Sequence, residues 1–393
     1  MTKVSISIVS GARVYPLDTG QNRRISALAE GLASNGLEVR LFVPCQLEER
    51  QYPSRRGLEV IETKALNGIA TKYPIGPSGA LANLSAITRV LKSLGDFAGV
   101  DIEQVELLRT AAEGLFIAKA MRIPCVLDEH NVEALLWYRM GRARSAWKRL
   151  AVFEGFAVRN FTRVLAVSQM EKRLFCEWYG IEPEKVLVIS NGVDTSRFDS
   201  QVQPQSDVRR SLGIGDRPMV YFMGGDLVGR QNSDALRYLL LEIWPRLKKK
   251  EQEADLVISG TDLPQWLDKG NFPGVRFVGR VEDVVPYINA ADVCVAPLRI
   301  GAGTRLRILE YLSCGKAVVS TSVGAEGLDL VDGRDFLIRD GPDEFASGIQ
   351  KLISDEESAA GLGREGQSRV RLNYSWTAIV KELADYYREM VSE

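Results

Sequence analysis

The chain has a single histidine, His130, and only five cysteines, Cys45, Cys125, Cys176, Cys294 and Cys314, none in a Cys-x-x-Cys pair. An odd, unpatterned set of thiols reads as reduced cysteines, not as a disulfide framework. With one imidazole and no thiolate pair, no ligand spacing builds a zinc site, and no Asp-x-Asp for a divalent ion occurs anywhere. No Gly-x-Gly-x-x-Gly follows the first strand, which argues against dinucleotide binding. There is no apolar run of about 18 residues to span a membrane. The N-terminus leads straight into a strand, without the apolar core of a signal peptide. A basic excess is also missing: Lys+Arg is 50, Asp+Glu is 51, and the formal net charge of −1 speaks against nucleic acid as the main partner. The expectation is a cytoplasmic protein, peripheral on the inner face of the plasma membrane at most, with no metal and no cofactor.

What is present is ordinary globular material: 393 residues, 45% hydrophobic and 26% charged. That supports a full core in two or three domains. In the first half, apolar β-branched runs at Val4–Ser10, Val39–Pro44, Asp101–Glu106, Cys125–His130, Arg163–Ser168 and Val186–Ser190 read as strands. Helical stretches such as Arg23–Asn35, with Ile25, Leu28, Ala29 and Leu32 on one face, lie between them. Strands alternating with helices mean a parallel sheet covered on both faces. Periodicity lapses between Thr195 and Pro218, where Gln201, Gln203, Pro204, Gln205, Ser206, Gly213 and Gly215 cluster. Alternation then restarts with strands at Met219–Met223, Asp255–Ser259, Val275–Val278, Val293–Pro297, Ala317–Thr321 and Asp335–Ile338, and Trp376–Met390 forms a closing helix. The expected division is an N-terminal domain over 1–200, a C-terminal domain over 201–375 and a closing helix over 376–393. Ligands of doubly wound sheets bind at the carboxyl ends of the strands, so the expected site is a cleft between the two domains.

The segment from Val293 to Gly315 carries the most chemistry. A buried strand runs into the turn Gly301-Ala302-Gly303-Thr304-Arg305, and a helix follows that Gly315 ends. Gly301 and Gly303 admit a ligand close to the backbone, and free N–H groups at a helix start favour phosphate. Arg305 and Arg307 oppose the helix dipole unless an anion is bound there. Glu310, about two turns into the helix, suits a pair of vicinal hydroxyls such as those of a ribose. The plainer alternative is a packed strand–helix unit with a tight turn and solvated arginines.

This segment, continued by Lys316–Thr321 and Gly324-Ala325-Glu326-Gly327-Leu328, resembles the donor-site signature of glycosyltransferase family 4, which has the GT-B fold. The resemblance extends over nearly the whole chain. It includes Tyr15-Pro16-Leu17-Asp18-Thr19-Gly20 with Arg23, the histidine loop Asp128-Glu129-His130-Asn131-Val132-Glu133, the strand Val188–Asp194 with Phe198, and Tyr374-Ser375-Trp376. It implies two Rossmann-like doubly wound domains facing across a cleft, with a C-terminal helix crossing back. It also implies a retaining transfer of a sugar from a nucleoside diphosphate. By the same resemblance Glu310 holds the ribose, and Gly303, Thr304 and Arg305 take the pyrophosphate. Gly279, Arg280 and Val281 meet the base edge, Gly20 faces the phosphates, and His130 meets the donor sugar.

The chain departs from that pattern twice. The place of an upstream glutamate is taken by Ala302, and the usual arginine–lysine pair gives way to Asp226 and Gln231, leaving Arg230, Arg305 and Arg307 as substitutes. A lone histidine is more often a hydrogen-bonded core residue than a catalyst. The end of strand Cys125–Leu127 together with the resemblance favours His130 as a group that orients the donor and stabilises charge. Asp128 and Glu129 are weaker candidates, either of which would cap the next helix. Trp137–Arg163 carries a net +6, with Trp137, Tyr138, Trp147, Phe153, Phe156 and Phe161 interleaved. That pattern suits an anionic membrane carrying lipid-linked acceptors, or else two amphipathic helices packed on the sheet. The expected activity is transfer from a UDP- or GDP-sugar to a saccharide or lipid-linked saccharide in cell-surface polysaccharide or glycolipid synthesis. The alternatives are a non-hydrolysing nucleotide-sugar epimerase, disfavoured by the single histidine, and an inactive binding subunit.

Overall fold

The computed structural model describes residues 3–17, 19–45, 52–66, 73, 88–199, 205–267 and 272–392. Asp18, Gln201, Gln203 and Pro204, named above, lie outside them. The chain forms two compact units, one of Met1–Asn191 with Trp376–Glu393 and one of Gly192–Ser375. The division falls at Asn191, ahead of the Thr195–Pro218 stretch. The cause is local: Val193 bridges to Ser375, and Val193, Phe198, Val208 and Ile214 all join the core of the second unit.

The first unit is a seven-stranded parallel sheet. Its strands are β1 Ser5–Ser10, β2 Glu38–Pro44, β3 Leu58–Thr63, β4 Ile102–Glu106, β5 Cys125–Glu129, β6 Arg163–Ala166 and β7 Val186–Val188, in the order β3-β2-β1-β4-β5-β6-β7. Helices α1 Gly20–Ser34, α2 Ala111–Met121, α3 Glu133–Arg139, α4 Arg144–Asn160 and α5 Gln169–Tyr179 fall in this half. Strand β3 escaped the sequence reading because it is a half-exposed edge strand. A period of two sorts the sheet's side chains. Ile6, Ile8, Ile102 and Val126 pack under α1 and the C-terminal helix Trp376–Ser392, which contributes Ile379, Val380, Leu383 and Tyr387. Val105, Leu127 and Val164 pack on the other face with α2 and α4. Each strand is apolar on both sides, as a doubly covered parallel sheet requires.

The second unit is a six-stranded parallel sheet: β8 Met219–Asp226, β9 Asp255–Thr261, β10 Val275–Gly279, β11 Val293–Ala296, β12 Ala317–Ser320 and β13 Leu337–Ile338, ordered β10-β9-β8-β11-β12-β13. Here α6 Arg230–Tyr238 follows β8 and α7 Leu306–Ser313 follows β11. In both sheets the strand order reverses once, between β1 and β4 and between β8 and β11. Such switch points open a crevice at the carboxyl ends of the strands.

The first unit also buries carboxyl groups without ion pairs. Glu113 on α2 is fully buried with both oxygens lacking a hydrogen-bond partner, and burial pushes its carboxyl up to about 7 from 4.5. The folded form then holds a proton that the unfolded chain releases. This contribution to stability is present at low pH and is lost as pH rises from about 4.5 through about 7. We expect the thermal midpoint to fall between pH 5 and pH 8, and Glu113→Gln, which cannot ionise, to flatten that fall. An unchanged pH slope in the variant would assign the effect to other groups.

Candidate active site

At the switch point of the second unit the chain leaves β11, passes through Leu298–Arg305 and starts α7 at Leu306. Gly303 has φ +72°, a left-handed conformation that favours glycine. Arg305 is the residue before the helix, and no side chain caps the first turn. A helix start of this kind favours an anion. Glu310 is buried and is the fifth helical residue, so it lies about one turn inside the helix and not two. The helix begins later than its sequence suggests because Gly303 and Thr304 extend the turn.

Two bonds hold this helix, one to strand β8 and one to helix α6. The Tyr311 hydroxyl accepts from Met223 N–H at 2.7 Å, and Arg307 Nη2 donates to Asn232 Oδ1 at 2.7 Å. Asn232 in turn donates to the Asp226 carbonyl, and the Asp226 carboxylate accepts from the N–H groups of Val228 and Gly229. Arg307 also lies over the Phe222 ring at 5.5 Å. It therefore serves the link between the loops after β8 and β11. Arg305 reaches back to the Ala302 carbonyl, while Arg230 is exposed at the first position of α6.

Beyond β8, at the carboxyl ends of β8, β9 and β10, lies a cavity of about 270 Å³ lined by Leu227, Ile258, Gly260, Leu263, Phe277, Val278 and Gly279. Gly279 has φ +73°. Of the three residues expected at the base edge, only Gly279 lines the cavity; Arg280 is exposed and Val281 half-buried beside it. A mostly apolar slot of this size suits a flat heterocycle. Ala302 is buried, and its methyl group offers no carboxylate at that position.

In the first unit, Gly20 opens α1 behind Thr19, whose side chain caps the helix by accepting from Asn22 N–H at 3.1 Å. One turn later Arg24 is fully buried. Its Nε and Nη2 donate to the two oxygens of Asp128 at 2.9 and 2.8 Å, and Nη1 donates to Ser190 O and Asn191 Oδ1, each at 3.2 Å. His130 sits just past β5. Its Nε2 is 2.9 Å from Glu106 Oε2 on β4 and 3.7 Å from Asp128 Oδ2. Burial and the Asp128 charge push the Glu106 carboxyl up, opposed by the hydrogen bond to His130 and by the charges of His130 and Arg24.

This corrects the reading that no ligand set exists, because Glu106, Asp128 and His130 each offer a ligand atom within 4.8 Å of one another. Strands β4 and β5 are neighbours, which brings together residues that are 24 positions apart in the chain. The donor set is nonetheless already engaged. Arg24 takes both oxygens of Asp128, while Gln104 Nε2 (2.6 Å) and His130 take those of Glu106. Arg24 already balances the charge of Asp128, so the cluster fits an ion-paired network better than a metal centre.

Neither Asp128 nor Glu129 caps α3. Glu154 on α4 does so, accepting from the N–H groups of Glu133 at 2.7 Å and Ala134 at 3.1 Å. Glu129 faces that side, its oxygens without a hydrogen-bond partner, and burial with the charges of Glu154, Glu133, Asp128 and Glu171 pushes it well above the usual carboxylate range. Residues 137–163 run from the end of α3 through all of α4 to the start of β6. Leu150, Ala157, Val158 and Phe161 are packed inside, whereas Tyr138, Val152 and Phe156 are exposed together with Arg142, Arg144, Lys148 and Arg149. No helix among the described residues is long and apolar enough to cross a membrane.

Comparison with known proteins decides the family. The model of Glycosyltransferase Family 4 matches residues 19–197, and that of Glycosyl transferases group 1 matches residues 217–355. The chain belongs to glycosyltransferase family 4. An uncharacterized glycosyltransferase of Methanocaldococcus jannaschii is 25% identical over 380 residues, 92% of each chain. A GDP-mannose-dependent alpha-(1-6)-phosphatidylinositol monomannoside mannosyltransferase of Mycobacterium tuberculosis is 27% identical over 288 residues, 69% of this chain and 71% of that protein. Among solved structures, sucrose-phosphate synthase from Thermosynechococcus elongatus aligns with TM-score 0.77 at 19% identity, covering 99% of this chain and 100% of that one. HepE from Anabaena, in complex with UDP and glucose, aligns with TM-score 0.72 at 18% identity, covering 98% and 100%. These structural likenesses establish that the glycosyltransferase has the GT-B fold.

Removing one member of a buried ion pair strands the other charge, at a cost of about 3–5 kcal/mol. Arg24→Met should therefore destabilise the glycosyltransferase by about that amount in urea denaturation, and adding Asp128→Leu should recover part of the loss. Equal stability of wild type and Arg24→Met would show that the pair contributes nothing.

Proposed function

We propose that this glycosyltransferase moves a sugar from a UDP- or GDP-linked donor to a saccharide or lipid-linked saccharide acceptor, with retention of configuration and without a metal. The product belongs to cell-surface polysaccharide or glycolipid. One observation carries the reading. The second unit combines an uncapped helix start behind Gly303 after β11, a buried Glu310 one turn further on, and an apolar slot at the carboxyl ends of β8, β9 and β10 that reaches Gly279. Those three features match the pyrophosphate, ribose and base of a nucleotide. The M. tuberculosis relative, named for GDP-mannose, and HepE, solved with UDP and glucose, support a donor of this class.

In this reading the second unit holds the donor. The bond between the anomeric carbon and the phosphate oxygen breaks, and the acceptor oxygen takes the carbon while its proton passes to the departing phosphate. Backbone N–H groups at Leu306 and Arg307, with Arg305 and Arg230, offset the charge that builds on the diphosphate. His130 stabilises charge near the reacting carbon.

The test is Glu310→Gln, which removes a charged hydrogen bond and should weaken nucleoside diphosphate binding by about 1.5–3 kcal/mol in calorimetry. Unchanged affinity would remove Glu310 from the site. Turnover measured as nucleotide release should persist in excess EDTA, and loss restored by manganese or magnesium would contradict the metal-independent part. The exposed face of α4, with Val152 and Phe156 among basic residues, is proposed to rest on anionic lipid. Arg142→Glu with Arg144→Glu should abolish flotation with anionic vesicles, and equal binding to neutral vesicles would count against it.

A further inference from the structure

His130 is held by a chain of buried hydrogen bonds that ends on the C-terminal helix. Its Nε2 is bonded to Glu106 Oε2 at 2.9 Å, Gln104 Nε2 donates to Glu106 Oε1 at 2.6 Å, and the Tyr387 hydroxyl donates to Gln104 Oε1 at 2.6 Å. Gln104, Glu106 and Tyr387 are fully buried, whereas the His130 side chain keeps 10% of its exposure. The alternation of β4 explains the arrangement: Ile102, Gln104 and Glu106 share the face that lies under α1 and the C-terminal helix. The charged or titratable groups that face it are Arg24 on α1, paired with Asp128 on β5, and Tyr386, which lies beside Tyr387 and whose hydroxyl accepts from Arg163 Nε. Because Arg24 occupies both Asp128 oxygens, Asp128 is left 3.7 Å from the ring, beyond a hydrogen bond, and Glu106 is the acceptor for Nε2–H. The bond fixes the ring plane and the tautomer, and leaves Nδ1 with no hydrogen bond among the described residues.

We infer that Glu106 is the positioning residue for His130, and that Tyr387 extends this hold from the C-terminal helix through Gln104. The inference rests on the reading of His130 as the group that meets the donor sugar. A carboxylate that accepts two N–H donors cannot be replaced by an apolar group without freeing both. Glutamine supplies one acceptor where two are needed, so its effect falls between. Tyr387→Phe keeps the ring packed and removes only the hydroxyl.

The single histidine makes the test direct, because protein labelled with 15N-histidine gives one imidazole spin system. In wild type the Nε2–H proton should exchange slowly enough to be observed. Glu106→Leu should lose that signal and lower kcat for donor turnover by about 100-fold, with the donor KM within about twofold. Glu106→Gln should lie between it and wild type, and Tyr387→Phe should speed the exchange and lower kcat several-fold, which keeps the inference open to test if Glu106→Leu fails to fold. An inactive His130→Ala beside a Glu106→Leu of normal rate and unchanged signal would overturn this inference alone. Near-normal turnover in His130→Ala would overturn the underlying reading of the histidine and this inference with it.

Discussion

A guanidinium shut away from water has to be matched by a full negative charge where it lies, and the first unit is organised around one such match. Arg24 on α1 grips both oxygens of Asp128 on β5, and its third nitrogen binds Ser190 and Asn191 at the end of the unit. One side chain thereby fixes the helix that Gly20 opens, the strand that His130 follows and the point where the chain leaves the sheet. An isolated pair of this kind is weak evidence for stability, because desolvation offsets most of its attraction. Its effect here is one of register. With Asp128 committed to Arg24, Glu106 is left to the histidine.

The two units repeat one plan with different contents. Each is a parallel sheet whose strand order reverses once, and in each the chemistry-bearing residues gather toward the carboxyl ends of the strands. In the second unit these are backbone N–H groups, a left-handed glycine and a buried carboxylate, which suit a nucleotide's phosphates and sugar. In the first they are buried polar side chains tied to one another, which suit holding a single imidazole in place.

Much of this was legible in the sequence, for physical reasons. Buried strands such as β1, β8 and β11 are short apolar runs that period and length identify, and Gly301–Arg305 announces a turn before a helix. What escaped was whatever depends on neighbours in space. β3 is an edge strand covered on one side only, so its pattern is weak. Glu154 caps α3 from another helix, and Glu106 meets His130 only because β4 and β5 are adjacent; neither pairing leaves a mark at fixed spacing. The unit boundary at Asn191 is set by Val193 joining the second core, where composition pointed further along the chain. Sequence did carry one signal that went unused: Gln104 and Glu106 are polar residues on alternate positions of a strand that is buried on both faces.

The central claim is that the second unit binds a nucleoside diphosphate sugar in its native state. A ligand that binds only the folded protein raises the unfolding midpoint by mass action. The most direct measurement is a thermal-shift series with UDP-, GDP- and ADP-sugars against the corresponding monophosphates. The account predicts that one base family raises the midpoint in a concentration-dependent way and that its monophosphate does so less. No shift with any nucleotide diphosphate, or equal shifts with mono- and diphosphates, would contradict it.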